Sequence, residues 1–464
     1  MMSSNQEDYE FTTSRSIHRE LNETDASDLG TLFVAARKCC VGWSSSSSLS
    51  SDSTDDVSDV VPHVIPECEK PRIRNKRHRD SSKRCSANVV DKKDAPWQRM
   101  LDLHNKGGNT IDDEKSNDGR YFRRRFRVPY SLFQTIIAQM LSDNWFPGFG
   151  PQGQGRMHAI KLESNRGASL QVMVLSCLRI LGRGVAFDEC FDGSGCKEEC
   201  IRVFFHKWCP MFVKKLMPSV VQPPLSTEDI EEQVNIYQRL GMGGAIGSTD
   251  CTHIPLGKCS DKIAVLCTGK EGFPTLAYSM TCSHSRKIYH CSPGFFGSRN
   301  DKTISKHDSF IHMIRTLPLY TQFVWKMEVD EQRSQDVKGV FLLCDGGYHK
   351  WSQLICPLRH TSRLPHTLWS CQLESVRKDI ECTFGVLKTR FQILNHPLPY
   401  MAKDWNTFRE RIDSIVWSCV VLHNLLLRHD GLEFLWTKSD YLSVWYANSP
   451  HLLLKLHDTR AQVQ

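Results

Sequence analysis

GAIGSTD, residues 244–250, is the stretch on which the fold turns. Up to Gly241 the apolar residues recur at steps of three and four. VPYSLFQTIIAQML, SLQVMVLSCLRIL, KEECIRVFFHKW and STEDIEEQVNIYQRLG each predict a helix, the last opened by Ser226 or Thr227 ahead of an acidic first turn. From Gly241 onward, glycines and short β-rich runs take over: GAIGSTD, TLAYSMTCS and KIYHCSPGFF, with SHSR as a hairpin turn between the last two. A helix from Asp301, a buried-looking strand VFLLCD at 340–345, a helix over 375–391 and a closing apolar helix, SIVWSCVVLHNLLL, complete the pattern. Three strands, a helix, a strand and closing helices predict a mixed α/β layer fold. The sequence contains no internal repeat.

At 464 residues the chain has room for two or three domains and an ample core. The start, MMSSNQEDYE, lacks a basic and then apolar leader. The longest apolar runs, 169–181 and 414–427, are short or broken by Arg179 and His423, so a soluble protein with neither signal peptide nor membrane span is expected. Nineteen scattered cysteines are expected to be mostly reduced thiols of a cytosolic or nuclear protein. Cys251, Cys259 and Cys267 recur every eight residues, and Cys190, Cys196, Cys200 and Cys209 cluster earlier. Neither set has the close C-x-x-C pairs of structural zinc, so buried or free thiols are the expectation.

The net charge of +7 is unevenly placed. Residues 44–59 are serine-rich and acidic, whereas residues 70–84 carry eight Lys or Arg against one Asp. Composition predicts a disordered tail over 1–95. Its basic run reads as a nuclear-import signal, a nucleic-acid contact or a solvated linker. RYFRRRFRV at 120–128 interleaves Arg123, Arg124 and Arg125 with aromatics. That mixture suits phosphate and base contact, and equally the entry turn of a packed helix.

Two runs that read as strands end in aspartate, GAIGSTD at Asp250 and VFLLCD at Asp345. Strand ends are natural places for a site in an open α/β sheet, although Asp-Gly after a strand is also an ordinary turn signal. The helix over 375–391 carries the stripe Leu373, Val376, Ile380, Phe384, Leu387, Phe391 and Leu394, with Glu374, Arg377, Glu381 and Lys388 together on a neighbouring face. Alone, Arg377 and Glu381 are an i,i+4 pair worth a few tenths of a kcal/mol on a solvated face. If the two strands are adjacent and the helix docks across them, Glu381 projects toward both aspartates. Three carboxylates would then converge within about 8 Å, with raised pKa values; a separation beyond about 12 Å would exclude shared metal. Such a cluster repels itself unless cations neutralise it, and all-oxygen donors suit Mg²⁺ or Mn²⁺, the setting of two-metal chemistry on a phosphodiester. Arg377, Lys378 and Lys388 would hold the polyanion nearby or balance the acids.

The segments GAIGSTDCTHIPL, YHCSPGFFGSRNDKTI, FLLCDGGYHKW, VRKDIECTFGVLKTRFQIL and CVVLHNLL, in this order, resemble the PIF/Harbinger transposases and the nucleases derived from them, in the plant-type version of the DDE superfamily. The resemblance covers roughly residues 120–430. It implies an RNase H-like catalytic core with a helical N-terminal region, DNA as substrate, a divalent metal, and Asp250, Asp345 and Glu381 as catalytic and metal-binding acids. It further implies nuclear action, a separate Myb-like protein for DNA binding and import, and self-association. The family's asparagine–aspartate pair falls on Asn300 and Asp301, read here as a cap of the next helix. Gly247, Ser248 and Thr249 depart from a more apolar approach to the first aspartate, and Cys251 and His253 crowd beside it. The expected domains are the tail at 1–95, a helical DNA-binding region at 96–240, the catalytic domain at 241–430 and an extension at 431–464. Two functions stay open: an endonuclease in which water attacks the phosphodiester to free a 3′-hydroxyl, and a catalytically silent DNA-binding or adaptor protein that keeps the fold.

Overall fold

The computed structural model describes residues 95–149, 168–257, 259–330, 333–358, 364–398 and 405–433. All belong to one unit, Val90–Gln464. The predicted tail up to residue 94, including both of its charged runs, and the C-terminal extension beyond Glu433 lie outside the described residues.

Helices α1 (Pro96–Asn105), α2 (Asn117–Phe126), α3 (Tyr130–Ser142), α4 (Leu170–Arg183), α5 (Phe191–Ser194), α6 (Glu198–Val220) and α7 (Thr227–Arg239) precede the sheet. Side chains that accept from the first-turn backbone set several of their starts: Ser116 for α2, Ser169 for α4, and Ser226 for α7, where Asp229 returns the bond in a capping box. α6 runs further than the predicted segment, through Pro210 and Pro218. A proline inside a helix costs about 3 kcal/mol. Burial of Trp208, Phe212, Leu216 and Val220 along the same face offsets that cost, at roughly 1.5–3 kcal/mol per large apolar side chain.

The sheet combines β1 (Ala245–Pro255), β2 (Thr275–Cys282), β3 (Ile288–Cys291), β4 (Phe295–Phe296), β7 (Phe341–Leu343) and β8 (Leu354–Ile355) in the order β3-β2-β1-β7-β8, with β4 on β2. β1, β2 and β3 form an antiparallel meander, whereas β7 and β8 run parallel to β1. This mixed sheet flanked by helices is the predicted α/β layer fold. Between its halves lie α8 (Asp261–Cys267), α9 (Asp301–His307), α10 (Ser309–Thr316), α11 (Pro318–Thr321) and an antiparallel hairpin of β5 (Val324–Asp330) and β6 (Arg333–Lys338). The sequence reading did not foresee that hairpin. α12 (Leu364–Arg390) and α13 (Trp405–His429) close the fold. No helix among the described residues is long and apolar enough to cross a membrane.

One sheet face packs Ile246, Leu342 and Cys344 against Phe310, Ile311 and Ile314 of α10. The opposite face takes α12, whose Leu373, Val376, Ile380 and Leu387 are buried, with Phe384 half-buried and buried Phe391 just beyond the helix end. At roughly 1.5–3 kcal/mol each, these side chains dock the helix with on the order of 10 kcal/mol, far more than its ion pairs supply. Polar contacts then fix its angular position. Asp379 pairs with His284 in the β2–β3 turn, Lys388 Nζ donates to the His253 carbonyl at 3.0 Å, and Gln372 donates to the Leu240 carbonyl at 3.0 Å. α13 packs on α6 and, through buried Asp413, on β2: one carboxylate oxygen accepts from the Tyr278 hydroxyl at 2.7 Å and from the Gly294 N–H at 2.9 Å.

Candidate active site

Asp250 does not end its strand. β1 continues to Pro255, and its ladder with β2 runs unbroken from Ser248↔Cys282 to Pro255↔Thr275. What ends at this level is the neighbour on the other side, since the β1–β7 ladder stops at Ser248↔Leu343. Asp250 and Asp345 each lie two residues beyond that last pair, so parallel register sets them side by side where the sheet opens. Asp250 opposes Met280 in β2, and its carboxylate meets Arg377 of α12, so its side chain stands on the α12 face.

Each aspartate is oriented by the backbone. Asp250 Oδ1 accepts from the Cys251 N–H at 2.8 Å, and Asp345 Oδ1 accepts from the Gly347 N–H at 2.8 Å. The Asp345 and Asp301 carboxylates flank Gly347, where a Cβ would lie 3.0 Å from Asp345 Oδ1 and 3.3 Å from Asp301 Oδ2. Thus the asparagine–aspartate pair divides its work. Asn300 caps α9 by accepting from the Thr303 N–H at 2.8 Å, as the sequence suggested, while Asp301 brings its carboxylate to the same glycine as Asp345. Burial pushes the Asp250 carboxyl up to about 6; the Cys251 N–H and Arg377 oppose that rise, and the charges of Asp345 and Asp301 add to it. On the far side of β1, Cys251 Sγ lies 3.5 Å from the hydroxyl of buried Tyr348, which anchors the loop after Asp345.

Glu381 reaches the cluster through an arginine. The Arg377 guanidinium places Nη1 3.3 Å from Asp250 Oδ2 and Nη2 2.7 Å from Glu381 Oε1. The two contacts and the width of the fork bound the separation of those carboxylate oxygens at about 8 Å. Nη2 also lies 3.1 Å and Nε 3.3 Å from Glu374 Oε2. Burial works against the guanidinium's charge, but Glu374, Asp250 and Glu381 outweigh it and push its pKa up. Among the described residues no three His, Cys, Asp or Glu side chains are grouped so as to hold a metal ion.

The other predicted DNA contacts differ in availability. Lys378 and Arg124 are exposed. Lys388 is half-buried on the His253 carbonyl, and burial lowers its pKa. Arg123 ties α2 to Glu114 at 2.8 Å and to Asp430 at 2.7 Å, while Arg125 donates to the Tyr121 hydroxyl and lies over Trp97. Sequence reasoning offered Arg377 as a balance for the acids without naming Asp250 as its partner, and it missed the approach of Asp301 to the loop of Asp345, because neither contact has a local signal.

The fold and its acids define a mixed-sheet protein with a carboxylate cluster at the open end of its parallel strands. Residues 220–433 match a family model described as plant transposon protein, which supports a transposase-related family for this part of the chain and a nuclease-type activity in outline. The matched segment contains the whole sheet, α12 and all four acids. No curated protein and no solved structure matches the chain.

Proposed function

We propose that the chain is a DNA nuclease of the PIF/Harbinger transposase type, with Asp250, Asp345 and Glu381 as its DDE acids. The observation that carries the reading is the register that sets Asp250 beside Asp345 at the open end of a parallel pair, inside the transposon-matched segment. The donors suit the implied ion in kind. They are hard carboxylate oxygens, and a cationic guanidinium already lies between two of them. Asp250, Asp345 and Glu381 would hold Mg²⁺ or Mn²⁺. Such ions, when bound, supply an activated water and charge neutralisation at a phosphodiester.

The chain's own residues do the positioning. The Cys251 and Gly347 N–H groups each fix one oxygen of an aspartate, and at Asp250 this leaves Oδ2 to meet Arg377. Exposed Lys378 offers a charge to a phosphate on the same helix as Glu381. Nuclear action, a Myb-like DNA-binding partner and self-association belong to the same proposal. The test incubates the full-length protein with a supercoiled plasmid carrying the terminal repeats of its own element, with Mg²⁺ or Mn²⁺. Nicked product whose 3′ end a polymerase extends is expected. Absence of nicking with either ion, alone and with a Myb-like partner, would favour the silent DNA-binding or adaptor reading.

A further inference from the structure

Arg377 is held more tightly than an i,i+4 helix pair requires. A solvated pair would turn the guanidinium toward Glu381 alone. Instead the side chain is only 9% exposed and reaches Asp250, 127 positions away in the chain. The oxygen it meets there is Oδ2, the one the Cys251 N–H leaves open. A Mg²⁺-sized ion touches carboxylate oxygens at about 2.0–2.1 Å. An ion bridging Asp250 and Glu381 would therefore have to occupy the space that Nη1 and Nη2 fill, and the two cations would repel.

We propose that Arg377 is the resident counter-ion of the acid site: it neutralises Asp250 and Glu381 in the metal-free protein, and a divalent cation binds these acids by displacing its guanidinium. The proposal rests on the reading of the acids as metal ligands. Arginine stays charged at all ordinary pH, so it cannot leave by losing a proton; it needs another anion. Glu374 provides one. It lies one helical turn earlier, already contacts Nε and Nη2, and its side chain is 41% exposed, so the fork has a place to pivot outward. The acid site is thus kept neutralised between uses, and divalent affinity reflects a competition between two cations rather than a preformed cage.

The experiment is a Mn²⁺ titration of the full-length protein by calorimetry, without DNA, on the wild type and on Arg377→Gln, Lys378→Gln and Asp345→Asn. Arg377→Gln is expected to bind at least tenfold more tightly than the wild type. Lys378→Gln removes the same charge from an exposed neighbour and is expected to change affinity less than twofold. Unchanged or weaker binding by Arg377→Gln, or an equal gain in Lys378→Gln, overturns the proposal. If Arg377→Gln lacks a cooperative melt, Arg377→Lys is read instead; it keeps the charge but loses the fork, and a threefold or greater gain is expected, no gain being refutation. Asp345→Asn separates the two levels. Its loss of binding with an unaltered Arg377→Gln sinks the counter-ion alone, whereas wild-type binding in Asp345→Asn sinks the metal-site reading as well.

Discussion

Asp413 is a carboxylate whose ionisation and burial oppose each other, and replacing it by asparagine should stabilise the protein at alkaline pH. Its residue is 2% exposed, and burial pushes the carboxyl up to about 7 from an ordinary 3.8, although Tyr278 and the Gly294 N–H donate to it and Arg409 stands 3.8 Å away. The folded state therefore holds this proton more tightly than the unfolded chain does. Below about pH 4 both states are protonated and ionisation costs nothing. Between about pH 4 and 7 stability falls as pH rises, and above 7 the full cost remains. At about 1.4 kcal/mol per unit, a rise of some three units sets an upper limit of roughly 4 kcal/mol, which relaxation around the group will reduce. Asp413→Asn keeps an acceptor for Tyr278 and Gly294 and deletes the charge. Urea unfolding of both proteins, followed by tryptophan fluorescence from about pH 4 to 8, should show no difference at the acid end and a gain of roughly 1–4 kcal/mol at the alkaline end. A variant that is less stable at pH 8, or a difference that does not change with pH, would mean that the carboxylate folds in its ionised form with its charge compensated.

Asp345→Asn is expected to reduce plasmid nicking to background while the melting temperature stays within a few degrees, because the proposed metal loses an oxygen ligand and an amide of similar size accepts from Gly347. Retained nicking would remove Asp345 from the mechanism. Arg123→Gln should cost about 1 kcal/mol of stability by releasing Glu114 and Asp430, whereas Arg124→Gln should leave stability alone and weaken DNA retention in a gel shift. The reverse assignment would show that the two arginines have been given each other's roles. Deletion of residues 70–84 should lower nuclear accumulation of a tagged protein. Unchanged localisation would assign import to another segment or to a partner.

The parts of this fold that could be read from sequence are those in which one side of an element meets water and the other meets core. The stripe from Leu373 to Leu387 named the buried face of α12, and the apolar rows of α3 and α7 did the same, since a 3.6-residue period leaves its trace wherever packing is one-sided; α4, by contrast, is buried on nearly all sides. The β5–β6 hairpin left little trace because its paired residues, Lys326 with Asp336 and Glu328 with Ser334, are polar, and Trp325 is its main anchor in the core. Asp250 was misplaced at a strand end for a different reason. Its own strand runs on, and the opening that exposes it is made by β7 stopping at Leu343, a property of residues 95 positions later. Arg377 shows the same limit: sequence offers it Glu374 and Glu381, one turn to either side, and nothing in the local pattern points to Asp250.

The separation between what docks α12 and what decorates it bears on how the site can change. Apolar burial holds the helix with on the order of 10 kcal/mol, so the positions of Glu374, Lys378 and Glu381 are fixed by Val376, Ile380 and Leu387 rather than by their own pairings. Glu381, whose side chain is 47% exposed, can be altered with little consequence for folding. Arg377 cannot be treated the same way. Its guanidinium is buried against Asp250, and taking it away leaves a mostly buried carboxylate without the cation that opposes its protonation. A divalent ion is the replacement that would restore this balance. For that reason metal should stabilise Arg377→Gln against unfolding more than it stabilises the wild type, where the incoming ion must first undo the contacts Arg377 already makes.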